Sequence, residues 1–306
     1  MTITNFPPEL LPLILNHESL ERVSDFKAIR AVCRCFNDQK TVKSLRATHT
    51  ETNTIFSFVH DKKVECLALR GDLAGMTVPG LLPALLKELD LMWTKNIPTE
   101  LINRALGSST IEILDLTFCD LYETSVPTSL PVSLKALNLY HAINIPPELI
   151  DLALHSSTIE ILDLRTCYLD EISVPESLPA SLKELYLYDV DNIELINRAL
   201  HSSTIEKLDL FGCDIDGVSV PYTPPALLKE LCLHRAENIP AELINLFLRS
   251  PTIETLNLDG CDLEGIAVPE SLPASLKELF LEQAINIPAD LITKAMACPH
   301  CDVITD

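Results

Sequence analysis

Cysteine, histidine and paired acidic residues are the side chains with which a protein does chemistry, and their spacing decides which chemistry is open. The chain holds ten cysteines and eight histidines in 306 residues. Cys298-Pro-His300-Cys301 has the spacing of half a zinc site, yet the second ligand pair that a structural zinc needs is missing. The competing reading is that Cys301 fills a buried apolar position. Cys119, Cys167, Cys213 and Cys261 recur at intervals of 48, 46 and 48 residues. Two strands of a sheet away, successive members would lie about 10 Å apart, beyond disulfide reach. They read as small buried residues, which implies a reducing compartment. No cysteine has a histidine at a fixed offset, which argues against an activated thiol. Glycine is scarce (8), so glycine-rich phosphate loops are not a theme. No metal, cofactor or catalytic residue is expected from these patterns.

The intervals themselves expose the elements that must carry these residues. Thr110-Ile-Glu-Ile-Leu-Asp-Leu returns, with small changes, from Thr158, Thr204 and Thr252. Between the copies runs a second motif, Ser-Leu-Lys-x-Leu-x-Leu. The leucine pairs fall at 67/69, 89/91, 114/116, 137/139, 162/164, 185/187, 208/210, 231/233, 256/258 and 279/281, which makes about ten coils of roughly 23 and 25 residues. The pattern Ile111-x-x-Leu114-x-Leu116-x-x-Cys119-x-Leu121 resembles the leucine-rich repeat. That resemblance implies short parallel strands with buried leucines, on the concave side of a solenoid spanning residues 64–306. The Val-Pro-x-Ser-Leu-Pro-x-Ser-Leu-Lys segments, as at Val174–Lys183, resemble repeats of secreted bacterial effectors. Paired prolines predict an extended return path there. In the alternate coil, Ile-Pro-x-Glu-Leu-Ile, as from Ile145, predicts a short convex-side helix. Cys298–Ile304 aligns with Ser156–Leu162 and predicts the start of an eleventh strand.

Side chains between the leucines of a strand face the concave surface. Those lanes hold Asp90, Asp115, Asp163, Asp209 and Asn257, then Met92, Tyr140, Arg165, Tyr188, Phe211 and His234, joined by Trp93, Phe118, Tyr186 and Phe280. In a chain only 5% aromatic, this gathering fits a protein-binding surface ringed by acids. Ordinary packing on a sheet surface is the alternative. Glu112, Glu160, Glu206 and Glu254 alternate along the stack with Lys87, Lys135, Lys183, Lys229 and Lys277, which predicts a cross-strand ladder of structural value.

Charge divides the chain. Up to Lys63 there are nine Lys/Arg and seven Asp/Glu, a balance of +2; the rest holds 14 basic and 37 acidic residues, or -23, and the sum is the chain's -21. So acidic a surface repels nucleic acid and anionic membranes and attracts a basic partner. No stretch has the length and apolarity of a transmembrane helix, and Met1–Leu15 lack a basic start and a cleavage site. A cytosolic chain, or export by a non-classical route, is expected.

The N-terminal segment does not fit the repeat. It reads Phe6-Pro7-x-Glu9-Leu10-Leu11-x-x-Ile14-Leu15, then Asp25-Phe26, then Val32-Cys33-Arg34-x-Phe36. This resembles the F-box motif, with Phe6 in place of the usual leucine, about three extra residues in 16–24, and Pro12 inside the first helix. A helix carrying Leu10, Leu11, Leu13, Ile14 and Leu15 has hardly a polar face, and a unit of about forty residues cannot cover it alone. The resemblance implies a Skp-type adaptor and a cullin as partners, docked on Phe6, Pro7, Leu10, Leu11, Ile14, Leu15, Phe26, Val32, Cys33 and Phe36. A plain helical cap on the solenoid is the alternative. The expected organisation is α/β: a helical F-box-like domain (1–48), a helical connection (49–63) and the solenoid (64–306). Together these imply a non-catalytic substrate receptor of a Skp–cullin–F-box ubiquitin ligase, holding a basic target on its concave face. It would act as a monomer within a hetero-complex, in host cytosol if a translocated effector. A binding protein that sequesters a target or blocks adaptor sites is the rival reading. An enzyme is a distant third, since no residues remain for a catalytic domain.

Overall fold

Alternating leucines set the strands. In a computed structural model that describes residues 44–48, 55–56, 59–60 and 63–305, each leucine pair brackets one outward residue. The strands are β1 (Ser44–Thr48), β2 (Cys66–Asp72), β3 (Glu88–Asp90), β4 (Thr94–Lys95), β5 (Ile113–Asp115), β6 (Ala136–Asn138) and β7 (Ile161–Asp163). They continue as β8 (Glu184–Tyr186), β9 (Lys207–Asp209), β10 (Glu230–Cys232), β11 (Thr255–Asn257), β12 (Glu278–Phe280) and β13 (Asp302–Ile304). All pairings are parallel and follow chain order, except that β4 pairs the end of β2. Leucine stacks on leucine in register: Leu89 on Leu114, Leu114 on Leu137, Leu137 on Leu162, and on to Leu256 on Leu279. These leucines are sealed from solvent and belong to one continuous core. This is the leucine-rich-repeat solenoid, and the ten leucine-pair strands are all present.

Helices occupy every second coil: α1 (Thr99–Leu106), α2 (Pro147–Leu154), α3 (Ile193–Leu200), α4 (Ala241–Phe247) and α5 (Ala289–Met296). Pro98, Pro146, Pro240 and Pro288 precede four of them, where a missing N–H costs nothing. In α3 the side chain of Asn192 takes that place and accepts the Leu195 N–H. Each of α1 to α3 buries a Leu-Ile pair and an Ala-Leu pair against the strands, as with Leu149, Ile150, Ala153 and Leu154. A polar residue then ties the helix to the following coil. Asn103, Asp151, Asn197 and Asn245 accept the N–H of Ser125, Ser173, Ser219 and Ala267, at 2.6–3.0 Å. The proline-rich returns are extended, and a single turn closes each one, as when the Leu182 N–H donates to the Pro179 carbonyl at 3.0 Å.

The charged ladder forms on the strand-start side. Glu112 lies between Lys87 (3.4 Å) and Lys135 (3.5 Å), Glu160 binds Lys183 (2.6 Å), Glu206 binds Lys229 (2.6 Å), and Glu254 binds Lys277. Solvent screens pairs of this kind, so each one contributes little to stability.

Two expectations are corrected. Ser44–Thr48, allotted to the helical N-terminal domain, instead form a strand of the solenoid sheet, with Leu45 and Ala47 beside Leu67 and Leu69. The alanine hides this strand from a search for leucine pairs. Of the expected helical connection, the described Ile55, Phe56 and Val59 are buried in the same core. At the other end, β13 pairs one residue earlier than the repeat alignment requires. Val303 rather than Ile304 stands opposite Leu279, and Ile304 turns to the concave lane beside Phe280. A one-residue slip exchanges the two faces, and an edge strand has one neighbour rather than two to prevent it. Residues 1–43, which carry the F-box resemblance, lie outside the described residues. Among the described residues no helix is long and apolar enough to cross a membrane.

The leucine stack should dominate stability. Leu162→Ala is expected to cost about 2–5 kcal/mol, and Lys183→Ala far less, because solvent screens an exposed ion pair. Urea unfolding followed by circular dichroism checks this, and equal losses for the two variants would contradict the assignment.

Candidate target-binding face

The residue that follows each concave lane turns the chain out of the sheet in the left-handed conformation. Trp93 (φ 62°), Phe118 (57°), His141 (53°), Thr166 (57°), Asp189 (54°), Gly212 (64°), Arg235 (53°), Gly260 (66°) and Gln283 (55°) hold equivalent places. A non-glycine residue here costs about 1–2 kcal/mol. The turn is held from the next coil: the Trp93 N–H donates to the Thr117 carbonyl at 3.0 Å, Phe118 to Tyr140 at 2.9 Å, and His141 to Arg165 at 3.1 Å. Three bulky rings in this strained position form a continuous stack. Trp93 lies on Phe118 with centroids 3.8 Å apart and planes 16° off parallel; Phe118 lies on His141 at 4.7 Å and 19°. Tyr140 meets the edge of Phe118 at 5.4 Å and tilts against His141 at 4.7 Å.

Arg165 extends the stack across the sheet. Its guanidinium lies 4.4 Å from the Tyr140 ring centre and 5.4 Å from that of Tyr186. Asp163 holds it through Nε (2.9 and 3.0 Å) and Nη2 (2.6 Å), and these hydrogen bonds raise the arginine above its ordinary value. The Tyr186 phenol is pushed up by burial and by its hydrogen bond to Glu184 at 2.7 Å, so it stays protonated. The Lys207 ammonium stands 5.7 Å from the same ring and 2.7 Å from Glu230. An aromatic and cationic run thus reaches from Trp93 to Lys207. A second group follows, Tyr188 against Phe211 (4.4 Å, 83°) and Phe211 against His234 (4.4 Å, 55°). Tyr188 owes its place to Gly212, where an added Cβ would sit 3.2 Å from the ring.

The aspartate lane does different work from that expected. Asp90, Asp115, Asp163 and Asp209 each turn one oxygen back to accept the N–H two residues on, at 2.9–3.1 Å. Asn138 and Asn257 do the same. Asp90 is also paired with Arg70, and Asp163, 5% exposed, is consumed by Arg165. Asp115 forms no ion pair among the described residues, and burial pushes its carboxyl up. The lane is mainly a row of turn caps rather than an open acidic track. Met92 is half-buried beside the first ring, and Phe280 has no ring partner among the described residues. Sequence reasoning missed His141, since the stacking position was not recognised. It also missed Ile113 and Ile161, 42% and 36% exposed, which add an apolar edge at the strand starts. The signal for both was the repeat register itself, read one place further out on either side.

Two open grooves, of about 510 and 370 Å³, lie on the convex side between helix and proline-rich return; Glu148, Asp151 and His155 line the first, Glu242, Asn245 and Arg249 the second. Neither combines a nucleophile with an acid–base pair. The recurring cysteines are buried: Cys119, Cys167, Cys213 and Cys261 donate to the carbonyls of Leu91, Leu139, Leu187 and Leu233 at 3.2, 3.2, 2.6 and 2.9 Å. Desolvation pushes each thiol up to about 12. Cys301 is 9% exposed, and Cys298 contacts His300 at 3.2 Å. Among the described residues no three potential metal ligands come together.

Comparison with known proteins agrees on the repeat. A leucine-rich-repeat family model matches residues 201–220. No curated protein sequence matches the chain. Similar solved structures include the following two. An internalin from Listeria monocytogenes is 13% identical, with a TM-score of 0.44 over 72% of this chain and 67% of that one. A leucine-rich-repeat protein from Leptospira interrogans is 16% identical, with a TM-score of 0.33 over 89% and 98%.

The thiol environments predict that iodoacetamide at pH 8 leaves Cys119, Cys167, Cys213 and Cys261 unmodified in the native chain and labels them in urea. Mass mapping checks this; native labelling at these four positions would contradict their burial.

Proposed function

We propose that the concave face is a protein-docking surface centred on Trp93, Phe118, Tyr140, His141, Arg165 and Tyr186. The observation that carries the reading is the ring stack itself: strained left-handed residues place large side chains on an open sheet face. Trp93 is 59% exposed there. Core packing needs no such stack, whereas rigid aromatics and arginine are the side chains that anchor interfaces. Glu88, Asp115 and Glu184 lie around this patch without an ion pair among the described residues, which favours a target with basic side chains.

The finer reading joins this face to the N-terminal motif. The chain is a non-catalytic substrate receptor of a Skp–cullin–F-box ubiquitin ligase. Residues 1–43 dock the adaptor and cullin, and the solenoid holds the target near the ubiquitin-loaded enzyme, raising its effective concentration. The Leu10, Leu11, Ile14 and Leu15 run and the Val32-Cys33-Arg34-x-Phe36 segment support the adaptor half, as sequence motifs. The burial of Ile55, Phe56 and Val59 in the solenoid core supports a short connection to that motif.

Trp93→Ala is expected to weaken target binding by about 2 kcal/mol while the melting temperature holds, and association should slow as salt rises. Calorimetric titration with a captured target checks both; normal binding by Trp93→Ala and by Arg165→Ala would overturn the docking surface. Leu10→Asp with Ile14→Asp should abolish capture of a purified adaptor–cullin complex and leave the solenoid folded. In a reconstituted ligase, inhibition of other receptors without any modified target would identify a blocker instead.

A further inference from the structure

The helix-bearing coils repeat nearly every residue, so each one is a control for the others. On the strand-end side they build a second, narrow ladder beyond the main sheet. β4 pairs the end of β2, and Asp120 bridges Ile143, Asp214 bridges Glu237, and Asp262 bridges Ile285. A rung consists of two backbone bonds, as when the Leu121 N–H donates to the Ile143 carbonyl and the Ile143 N–H to the Cys119 carbonyl, both at 2.9 Å. A left-handed asparagine locks it. Asn96, Asn144, Asn238 and Asn286 donate to Asp72, Asp120, Asp214 and Asp262 at 2.8–2.9 Å.

One rung is absent. In the coil that leads to α3, Asp191-Asn192-Ile193 correspond to Ile143-Asn144-Ile145, but Pro146 and Pro147 have no counterpart, so Asn192 is drawn to the helix start and caps α3. This deletion is the reason that one repeat interval is 46 rather than 48 residues. On the preceding coil Tyr168 replaces the aspartate that would have received the asparagine, and it is 76% exposed. Two changes on two coils thus undo the same contact: the asparagine is redirected and its acceptor is lost. Asn192 closes only part of the gap, donating to the Leu169 carbonyl at 2.9 Å. The Leu169 N–H and the Cys167 carbonyl, whose counterparts make the rung elsewhere, have no partner among the described residues. Exposed Asp170, Glu171, Asp189 and Asp191 flank the gap on the same two coils, and none forms an ion pair among the described residues.

We propose that this open rung is a second docking site, which takes a short, extended, basic segment of a partner protein as an added parallel strand. The segment's backbone pairs with the Leu169 N–H and the Cys167 carbonyl, its lysine or arginine side chains meet the four carboxylates, and an apolar residue covers Tyr168. Main-chain pairing supplies affinity and alternate side chains supply selectivity, as in other cases of strand addition to an unpaired edge. An exposed ladder edge left without such a use is a liability that chains otherwise cover. The site is separate from the ring stack on the concave face and does not rest on the ligase reading.

The test uses the full chain and a labelled synthetic peptide of alternating arginine and valine. In the repaired variant, Pro-Pro is inserted between Ile193 and Glu194 and Tyr168→Asp is added, restoring the sequence that makes the rung in the other coils. Fluorescence anisotropy should show binding to the native chain, a loss of at least about tenfold in the repaired variant, a similar loss in Asp189→Lys with Asp191→Lys, and no change in Trp93→Ala. Hydrogen exchange at the Leu169 amide should slow on peptide binding. Failure of the native chain to bind, binding by the repaired variant as tight as that of the native chain, or an unprotected Leu169 amide would each overturn the proposal; undiminished binding by the repaired variant would mark mere attraction to an acidic chain. Should the repaired variant not fold, the charge-reversed variant and the exchange measurement decide.

Discussion

Everything in this chain depends on one contact repeated along its length: a leucine pair on one strand lying on the leucine pair of the next. A three-residue strand cannot persist alone, and a helix of eight residues is too short to be stable in water. Each coil therefore exists because its neighbours cover it, in the one-dimensional manner of repeat proteins. Strands stack about 4.8 Å apart, and that spacing dictates the rest. Side chains at equivalent positions become a column, so a residue type that recurs becomes a lane and a residue that departs from its lane becomes visible.

Most recurring polar residues are spent on holding coils together. Aspartate or asparagine in the strand caps the turn that follows it. Asn103 and its counterparts tie each helix to the next proline-rich return. Ser108, Ser156 and Ser202 accept the N–H two residues on, ahead of the next strand. Alternating lysine and glutamate settle the charge along the strand-start side, and their mutual pairing holds Glu112, Glu160 and Glu254 below the usual carboxylate range. Function is then read where columns change character. The left-handed column is Trp, Phe and His in three successive coils, then Thr, Asp and Gly. The rung column is complete except at Tyr168. The first departure begins just after β3, near one end of the described sheet, and the second follows β7, at its middle.

Features that follow from local rules were legible in the residue order alone. Period-two alternation buried Leu162 and Leu164 and turned Asp163 to the other face. Ile-Pro-x-Glu-Leu-Ile made helices, and paired prolines forbade them in the alternate coil. Stacked Lys183 and Glu160 met as their positions require. Aromatic side chains at 140, 186, 188 and 211 were placed on the concave face by alternation alone.

Only the tertiary structure decided the features set by a neighbouring coil. Asp163 was legible as an outward residue, but its capture by Arg165 and the clasp of that arginine between Tyr140 and Tyr186 join three strands. His141 joined the stack because a carbonyl 24 residues on, that of Arg165, fixes its left-handed turn. β1 was hidden by Ala47, and β13 slipped because one neighbour alone sets its register. The missing rung appears in the sequence as two absent residues, yet its meaning lies in Leu169 and Cys167, groups left open on another coil. Side-chain alternation is a property of one strand, whereas turn conformation and pairing are settled between coils about 25 residues apart, where no local pattern reaches.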